Sequence, residues 1–251
     1  MKKTILIKIF LRSFFIHAAL NFRRMQNLGF ALAIIPLIRE WRLQEKDSEL
    51  MLTRHLQMYN SHPYFSAPLL GSVVRLEEES SGKGDASGVI ALKQGLMGPY
   101  AAIGDIFFWS ALRPFAAIVA VYLALMGFII APLAFLVIYT PAHFWLRAKG
   151  FIEGYRRGKQ GIEFIRAMDL PRVSVKLRWL SLLTLSVLAI WLTYGWYWPF
   201  MKTSGIIVKS AALASILPSL FLIKKGVSQI HIIYGAFIIF LLIISCRELF
   251  N

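Results

Sequence analysis

The stretch PFAAIVAVYLALMGFIIAPLAFLVIYTPAHFWL, residues 114–146, contains no Asp, Glu, Lys or Arg. About 20 consecutive apolar residues are enough for a helix to cross the hydrocarbon core of a bilayer. Two further uncharged stretches, residues 179–201 and 226–246, reach this length. A fourth, residues 205–223, is interrupted only by Lys209, whose long side chain can extend its charge toward the lipid interface. These stretches predict about four transmembrane helices in the C-terminal half.

The overall composition leads to the same class of protein. The chain is 57% hydrophobic and only 16% charged, and its mean hydropathy is +0.61. Soluble domains carry about 25% charged residues. Because a helix satisfies its own backbone hydrogen bonds in lipid, we expect an all-α integral membrane protein.

The distribution of charge predicts an orientation. The net charge is +15, and residues 147–178 hold nine Lys or Arg against three acidic residues. Basic segments that follow a transmembrane helix mark the cytoplasmic side. We therefore predict a basic cytoplasmic loop at residues 147–178, a cytoplasmic N-terminus and an external C-terminus, and no nucleic-acid partner is needed to explain the charge.

Residues 1–114 are built differently. Their apolar pieces, residues 28–38, 62–74 and 95–114, are short and are cut by Pro, Gly and polar groups. Backbone that leaves a helix inside lipid must find partners in protein or in a water-filled cavity, and such interrupted helices line the binding sites of transporters. We predict broken or re-entrant helices in residues 1–114, and a membrane-spanning half in residues 115–251.

The first residues, MKKTILIKIF, carry the basic start of a secretion signal, but Lys8 and Arg12 break the apolar run that a cleavable signal needs. A helix lying at the membrane interface is predicted instead. The single Cys246 cannot form an internal disulfide, and neither CxxC nor HExxH occurs. We expect no metal, no cofactor and no catalytic residue.

Several short motifs follow one another in a fixed order: RSFF at 12–15, RMQNLGF at 24–30, RHL at 54–56, NSHPY at 60–64, GLMGP at 95–99, IGD at 103–105, FW at 108–109 and LRP at 112–114. Together they resemble the IID subunit of the mannose/fructose/sorbose family of sugar phosphotransferase systems. The resemblance extends more loosely to ILPSLFLIKKG near the C-terminus, so it covers nearly the whole chain.

The resemblance implies a subunit of the bacterial inner membrane that pairs with a IIC membrane subunit to form the path of a sugar. It also implies a trimer of IIC–IID pairs, an elevator-like movement, and phosphate transfer from phosphoenolpyruvate through soluble IIA and IIB components. Membrane lipid is a further expected partner.

The chain departs from the family at four positions. His17 and Leu20 stand where the family usually has Gln and Trp, and Ala102 and Ser110 stand at positions that are usually Gly. These departures favour an alternative, in which the chain is a regulatory or interaction subunit that keeps the fold without transport. A membrane enzyme acting on lipid-linked substrates is a third hypothesis, which would use His and Asp as acid and base.

Asp105 is the most conspicuous polar residue in the apolar pieces, because a carboxylate near the bilayer centre costs about 2.5–3.5 kcal/mol on insertion scales. If a helix begins at about Gly104, then Asp105, Trp109 and Arg113 follow at i, i+4 and i+8 on one face. Such a face offers an acceptor, an indole and a donor to a sugar, and the Gly and Pro before it are expected to open the pocket. The alternative is a helix–helix contact in which Asp105 accepts hydrogen bonds from backbone or from an Arg on a neighbouring helix, and Gly98 and Gly104 only allow close approach.

Six further residues complete the candidate sites. His62, Asn60 and Asn27 can hydrogen-bond sugar hydroxyls, although each can also serve as a helix stop or an interface contact. Arg24, Glu77 and Glu78 are candidates for a gate or a partner contact. In the simpler interpretation, Arg24 contacts a lipid phosphate or a neighbouring subunit, and the two glutamates lie on a solvated face.

Overall fold

The computed structural model describes residues 1–80, 86–195, 218, 221–222 and 224–249. All regular structure in these residues is helical, as the composition predicts. The α-helices in chain order are α1 Lys3–Arg12, α2 Asn27–Trp41, α3 Glu45–His55, α4 Ser66–Glu79, α5 Ser87–Gly104, α6 Arg113–Leu125, α7 Ala131–Arg157, α8 Gly161–Ala167, α9 Leu170–Gly195 and α10 Gln229–Leu249. The other helical elements are the π-helical segment Asp105–Leu112 and the 3₁₀ turns Ser13–Phe15 and Gly158–Gln160.

The predicted break within residues 95–114 is absent, which corrects the sequence analysis. The π-helical segment joins α5 to α6, so Ser87–Leu125 forms one helix of 39 residues. Pro99 removes one backbone donor inside α5, and yet the helix continues through Gly104. A π segment adds a residue to the turn without ending the helix, and such segments are common at functional sites. The predicted boundary at residue 114 therefore lies inside a continuous helix.

The piece at residues 28–38 is also unbroken, although Pro36 lies inside α2. A proline cannot donate to the carbonyl four residues earlier, which here belongs to Leu32. The guanidinium of Arg12 donates to that carbonyl oxygen instead, at 3.0 Å. A side chain of the α1 helix thus satisfies the acceptor that the proline frees. Of the three predicted interruptions, only residues 62–74 contain one, because α4 begins at Ser66.

The uncharged stretch 114–146 forms a helical hairpin and not the single continuous helix that was expected there. Helix α6 ends in a Schellman motif, in which Gly127 N–H donates to Ala124 O at 2.9 Å and Phe128 N–H donates to Leu123 O at 3.0 Å. Gly127 adopts φ +84°, a left-handed conformation that glycine accepts without cost. Helix α7 then starts at Ala131.

The basic segment 147–178 is helical for most of its length, which corrects the prediction of a loop. It contains the end of α7, all of α8 and the start of α9. Helix α7 packs closely against α4 through glycines: a Cβ at Gly154 would collide with Pro68 O, and one at Gly71 would collide with Phe151 O. Most charged side chains of this segment are exposed, but Arg147 and Glu153 are buried.

The chain divides into two compact units, Met1–Leu188 and Ala189–Asn251. In the part of the chain that the structure describes, Ser87–Leu125 is the one helix whose length and apolar composition suffice to cross a membrane. Only 22% of its most apolar window is buried, so its apolar side chains face lipid or another protein.

The predicted C-terminal spans are described unevenly. The span at 226–246 coincides with α10, a helix of 21 residues. The span at 179–201 is described up to residue 195, as the end of α9, and most of the span at 205–223 lies outside the described residues. The count of about four crossings stays a prediction.

Candidate functional site

His62 lies against the π-helical segment. Its ring is 1% exposed, stacks on Phe108 with centroids 5.3 Å apart and an interplanar angle of 17°, and lies 4.8 Å from the Trp109 ring. The imidazole fits because residue 104 is glycine: a Cβ there would collide with the His62 side chain. Gly104 therefore allows the close approach of His62, and the helix is not broken there.

The hydrogen bonds of His62 define its tautomer. Its Nδ1 accepts a hydrogen bond from the Tyr64 backbone N–H at 3.3 Å, so in the neutral ring Nε2 carries the proton. That Nε2 is buried and has no hydrogen-bond partner within the described residues. A buried donor without a partner is costly, so His62 Nε2–H is a hydrogen-bond donor left unsatisfied by the described residues.

The predicted stripe of Asp105, Trp109 and Arg113 lies on and just after the π-helical segment. Asp105 is half-buried, Trp109 is 45% exposed and Arg113 is exposed. Within the described residues the carboxylate of Asp105 accepts no hydrogen bond and forms no ion pair. Trp109 is the residue of the stripe that contacts His62, and the outer face of the stripe is open.

Gln26 organises the loop that carries His62, and the sequence analysis did not choose it as a site residue. Its Nε2 donates to Ser61 O at 2.7 Å and lies 3.4 Å from Asn60 Oδ1, while its Oε1 accepts from Ser61 N–H at 3.3 Å. The same Nε2 is 2.7 Å from His17 Nε2. The motif RMQNLGF contains Gln26, and that membership was the available signal.

Asn27 has a structural role in this arrangement. Its Nδ2 donates to Leu56 O at 2.8 Å, and its Oδ1 accepts from Asn21 Nδ2 at 2.8 Å. It is 4% exposed, so both ends of the amide are used internally. Arg24 also reaches Leu56 O, at 3.3 Å, while remaining at the surface.

Arg147 is a buried cation that the sequence analysis placed in a cytoplasmic loop. It is 4% exposed, donates to Ser13 O at 3.3 Å, and lies over the rings of Phe14 at 4.4 Å and Tyr64 at 5.0 Å. Its Nε has no hydrogen-bond partner, and no carboxylate lies within ion-pair distance of it in the described residues. The aromatic faces supply the stabilisation that a counter-ion gives elsewhere.

Glu77 does not lie on a solvated face, because its side chain is fully buried. Its carboxylate accepts from Arg54 Nη2 at 2.9 Å and from His55 Nε2 at 3.0 Å. Lys93 is 3% exposed and donates to His55 O at 3.1 Å. Burial lowers the pKa of His55, and the hydrogen bond to Glu77 acts in the opposite direction. These four residues form an internal ionic cluster instead of an open gate.

Glu78 is partly exposed and binds two groups. It accepts hydrogen bonds from the Met1 ammonium and from Tyr155 Oη, each at 2.6 Å. Partial burial acts to raise the pKa of Glu78, but these two hydrogen bonds outweigh it, and the pKa lies below its ordinary value. The carboxylate thus ties the first residue to α7.

Five residues meet here and are called the loop–π site: Gln26, Asn60, Ser61, His62 and Trp109. Asp105 lies on the same π-helical segment as Trp109. Together they offer amide, imidazole and carboxylate groups beside an indole. No group of three His, Cys, Asp or Glu side chains suited to a metal ion is present in the described ranges. The arrangement suits a neutral polar ligand.

Comparison with known proteins decides the family. The family model for the PTS system mannose/fructose/sorbose family IID component matches residues 1–249. This chain belongs to that IID family. The IID chain is 36% identical over 155 residues to the mannose-specific EIID component of Escherichia coli K12, a match that covers 60% of this chain and 54% of that protein. The IID chain thus spans about half the length of that relative.

Two other comparisons extend the match to the full length. The IID chain is 29% identical over 255 residues to the fructose permease IID component of Bacillus subtilis, covering 93% of this chain and 92% of that one. It superposes on a chain in the cryo-EM structure of the mannose transporter ManYZ with microcin E492, with a TM-score of 0.60, 26% identity and coverage of 98% and 97%. A second structure, titled as a membrane protein, has a TM-score of 0.73 at 24% identity and supports the fold alone.

Four of the motifs on which the resemblance of this IID chain rests meet at the loop–π site. RMQNLGF supplies Gln26, NSHPY supplies Asn60 and His62, and IGD and FW supply Gly104 and Trp109. Segments far apart in sequence thus converge on one place. The family and the likeness to a membrane transporter identify the IID chain as a membrane protein.

Proposed function

We propose that this IID chain is a membrane subunit of a phosphoenolpyruvate-dependent sugar phosphotransferase transporter. With a IIC subunit it forms the path for a hexose of the mannose, fructose or sorbose type. The observation that carries the proposal is the convergence of the family motifs at the loop–π site, beside a long and exposed apolar helix.

The chemistry of the site supports a sugar as the ligand. His62 Nε2–H is a donor without a protein partner, and the carboxylate of Asp105 is an acceptor without one, within the described residues. The indole of Trp109 can cover the C–H face of a pyranose or furanose ring, and Asn60 and Arg113 add polar groups at the edge. We assign Asn27 to holding the loop, and no catalytic residue to this chain.

The open face of the site supports a second subunit. Trp109 is 45% exposed, and the helix that carries it buries only 22% of its most apolar window. A polar group in lipid needs a protein partner or water, so Asp105 and Trp109 are best placed at a contact with the IIC subunit. We further propose a trimer of such pairs, with phosphate supplied by IIA and IIB components.

The topology belongs to the same proposal. The chain passes the bacterial inner membrane several times, with about four crossings in the C-terminal half. The helices of residues 147–178 lie on the cytoplasmic side, together with the N-terminus, and the C-terminus lies outside. The basic side chains of that segment support this orientation.

The test is sugar uptake by cells that contain the chain with its cognate IIC, IIA and IIB components. Asp105→Asn and Trp109→Ala should each lower uptake of the transported hexose at least tenfold, while the IIC subunit still co-purifies. Matched controls are Asp169→Asn and Trp179→Ala, which change exposed residues of the same types elsewhere. Their uptake should stay within twofold of the unmodified chain.

Two results would contradict the proposal. One is the absence of any IIC-type protein on purification, together with unchanged uptake when the chain is deleted. The other is normal uptake in both site variants at normal protein levels, which would instead assign the chain to regulation or interaction.

A further inference from the structure

A second candidate site lies around the loop that precedes α2, on residues that do not belong to the loop–π site. Asn21 and Met25 exchange two backbone hydrogen bonds, at 3.0 and 2.9 Å. The Asn21 side chain accepts from Arg24 N–H at 2.8 Å and donates to Met25 O at 3.1 Å. These bonds close the loop and fix its shape. Phe22, at the tip, is fully exposed.

An open cavity of about 310 Å³ adjoins this loop, lined by Asn21, Arg23, Arg24, Asn27 and Leu28. Its volume is at the lower end of the range for small-molecule sites, about 300–1,000 Å³, so it suits a small group better than a large ligand. The side-chain amides in its wall already take part in the loop's own hydrogen bonds. The guanidinium groups therefore decide which ligands the cavity can bind.

The two arginines give the cavity a positive charge that nothing nearby offsets. Arg24 donates to Leu56 O at 3.3 Å, which holds its side chain at the rim. Neither Arg23 nor Arg24 forms an ion pair with a carboxylate within the described ranges of the chain. Guanidinium groups match phosphate oxygens in geometry as well as in charge, and two of them at one cavity favour a phosphate group.

The surroundings of the cavity are apolar. Leu28, in its wall, is 46% exposed, and Leu32, one turn later on α2, is 41% exposed. Ile7 and Leu11 on α1, which packs beside α2, and Phe15 in the 3₁₀ turn that follows α1 are all more than half exposed. A ligand that fits both features has an anionic head and apolar chains.

We propose that this cavity binds the phosphate headgroup of an anionic phospholipid, with the acyl chains along the exposed apolar side chains of α1 and α2. Charge complementarity favours a lipid over the neutral sugar, and the apolar flank favours a lipid over a soluble phosphate. The site holds the α1–α2 pair at the membrane interface. The inference concerns residues other than the loop–π site and does not depend on the proposed transport function.

The test measures lipid binding by the full chain, purified in detergent with any subunit that accompanies it. A fluorescent short-chain phosphatidylglycerol and the phosphatidylcholine of the same chain length are titrated separately. The unmodified protein should bind the phosphatidylglycerol at least tenfold more tightly. The double variant Arg23→Ala/Arg24→Ala should lose this preference, and Arg23→Lys/Arg24→Lys should keep most of it because the charge remains.

A charge-matched control and a soluble competitor sharpen the result. Arg39→Ala/Lys46→Ala removes two exposed positive charges elsewhere and should leave the preference unchanged. Inorganic phosphate at millimolar concentration should not displace the lipid, because it lacks the apolar chains.

Three results would overturn the proposal. The first is equal affinity for the two lipids. The second is inorganic phosphate competing as effectively as the unlabelled phospholipid, which would make the site one for a free anion. The third is unchanged lipid preference in the alanine double variant with loss of a co-purifying subunit, which would make the surface a protein interface.

Discussion

The unit Met1–Leu188 contains two contrasting regions. One is the closely packed contact between α4 and α7, and the other is the exposed outer face of the π-helical segment. At the first, glycines at positions 71 and 154 bring two backbones into direct contact, and Glu77 at the end of α4 is fully buried among its partners. At the second, Trp109 is 45% exposed and Asp105 has no partner for its carboxylate in the described residues. The closed contact holds the unit together, and the outer face of the π-helical segment leaves a polar group without a partner and an aromatic ring partly exposed among the described residues.

Removing the buried anion should produce the largest effect. Glu77→Ala leaves the nearly buried Arg54 without its carboxylate and His55 without its hydrogen-bond acceptor, and breaking such a pair by removing one partner costs about 3–5 kcal/mol. We expect the free energy of unfolding, measured in detergent by thermal or chemical denaturation, to fall by this amount. Glu79→Ala is the matched control, because Glu79 is 52% exposed and solvent screens its ion pair with Arg75. Equal losses in both variants would show that the cluster is not stabilising.

A methyl group added inside the closed contact should have the next largest effect. Gly154→Ala places a Cβ against the carbonyl oxygen of Pro68, and overpacking of this kind costs about 1–3 kcal/mol. Gly98→Ala is the control, because no atom lies within 4 Å of a Cβ at that position. The control should be neutral or more stable by up to about 1 kcal/mol, because alanine favours helix. If both variants behave alike under thermal denaturation, the contact is looser than described.

A change on the open face should affect stability less than either of these. Trp109→Ala removes one ring contact with His62, and such contacts contribute about 0.5–1.5 kcal/mol. We expect a loss of about 1 kcal/mol in the free energy of unfolding, although the same variant should lose sugar uptake. A loss as large as that of Glu77→Ala would place Trp109 in the core of the unit and remove the contrast between the two regions.

The smallest predicted effect is a dependence on pH through Glu78, at the edge of the closed region. Its pKa is lower in the folded protein than its ordinary value of 4.5, so its contribution to stability is present above about pH 4.5 and is lost as the pH falls through the lowered pKa. Glu78→Gln should be less stable than the unmodified protein at neutral pH, and the two should converge in acid. Parallel curves over the whole range would contradict this assignment.

The sequence allowed the helical class and the family to be predicted, and it drew attention to four residues at or beside the loop–π site. His62, Asn60, Asp105 and Trp109 come from motifs that stand in fixed order, and two of these residues, His62 and Trp109, are in ring contact. The helix ends were harder to predict from the sequence, because Pro36 and Pro99 predict interruptions that do not occur. The signal for the hairpin in residues 114–146 was present in Gly127, which ends α6.

The residues that were missed or misplaced share one physical feature: their partners are distant in the chain. Glu77 binds Arg54, 23 residues away, and Arg147 donates to Ser13, 134 residues away. Charge in a local window predicts a solvated face for the first and a cytoplasmic loop for the second. The residues close to Glu77 or Arg147 in the sequence do not include the distant group that each side chain binds when it is buried.

The amino-acid sequence by itself determined that this chain is helical, apolar enough for a membrane and a member of the IID family, because those properties follow from composition and from motifs within short segments. Only the tertiary structure decided which polar residues are satisfied and which are open, since a hydrogen bond depends on where two distant segments meet. Arg12 shows the difference: its charge is visible in the sequence, but only the packing of α1 on α2 brings it to the carbonyl of Leu32 that Pro36 leaves free.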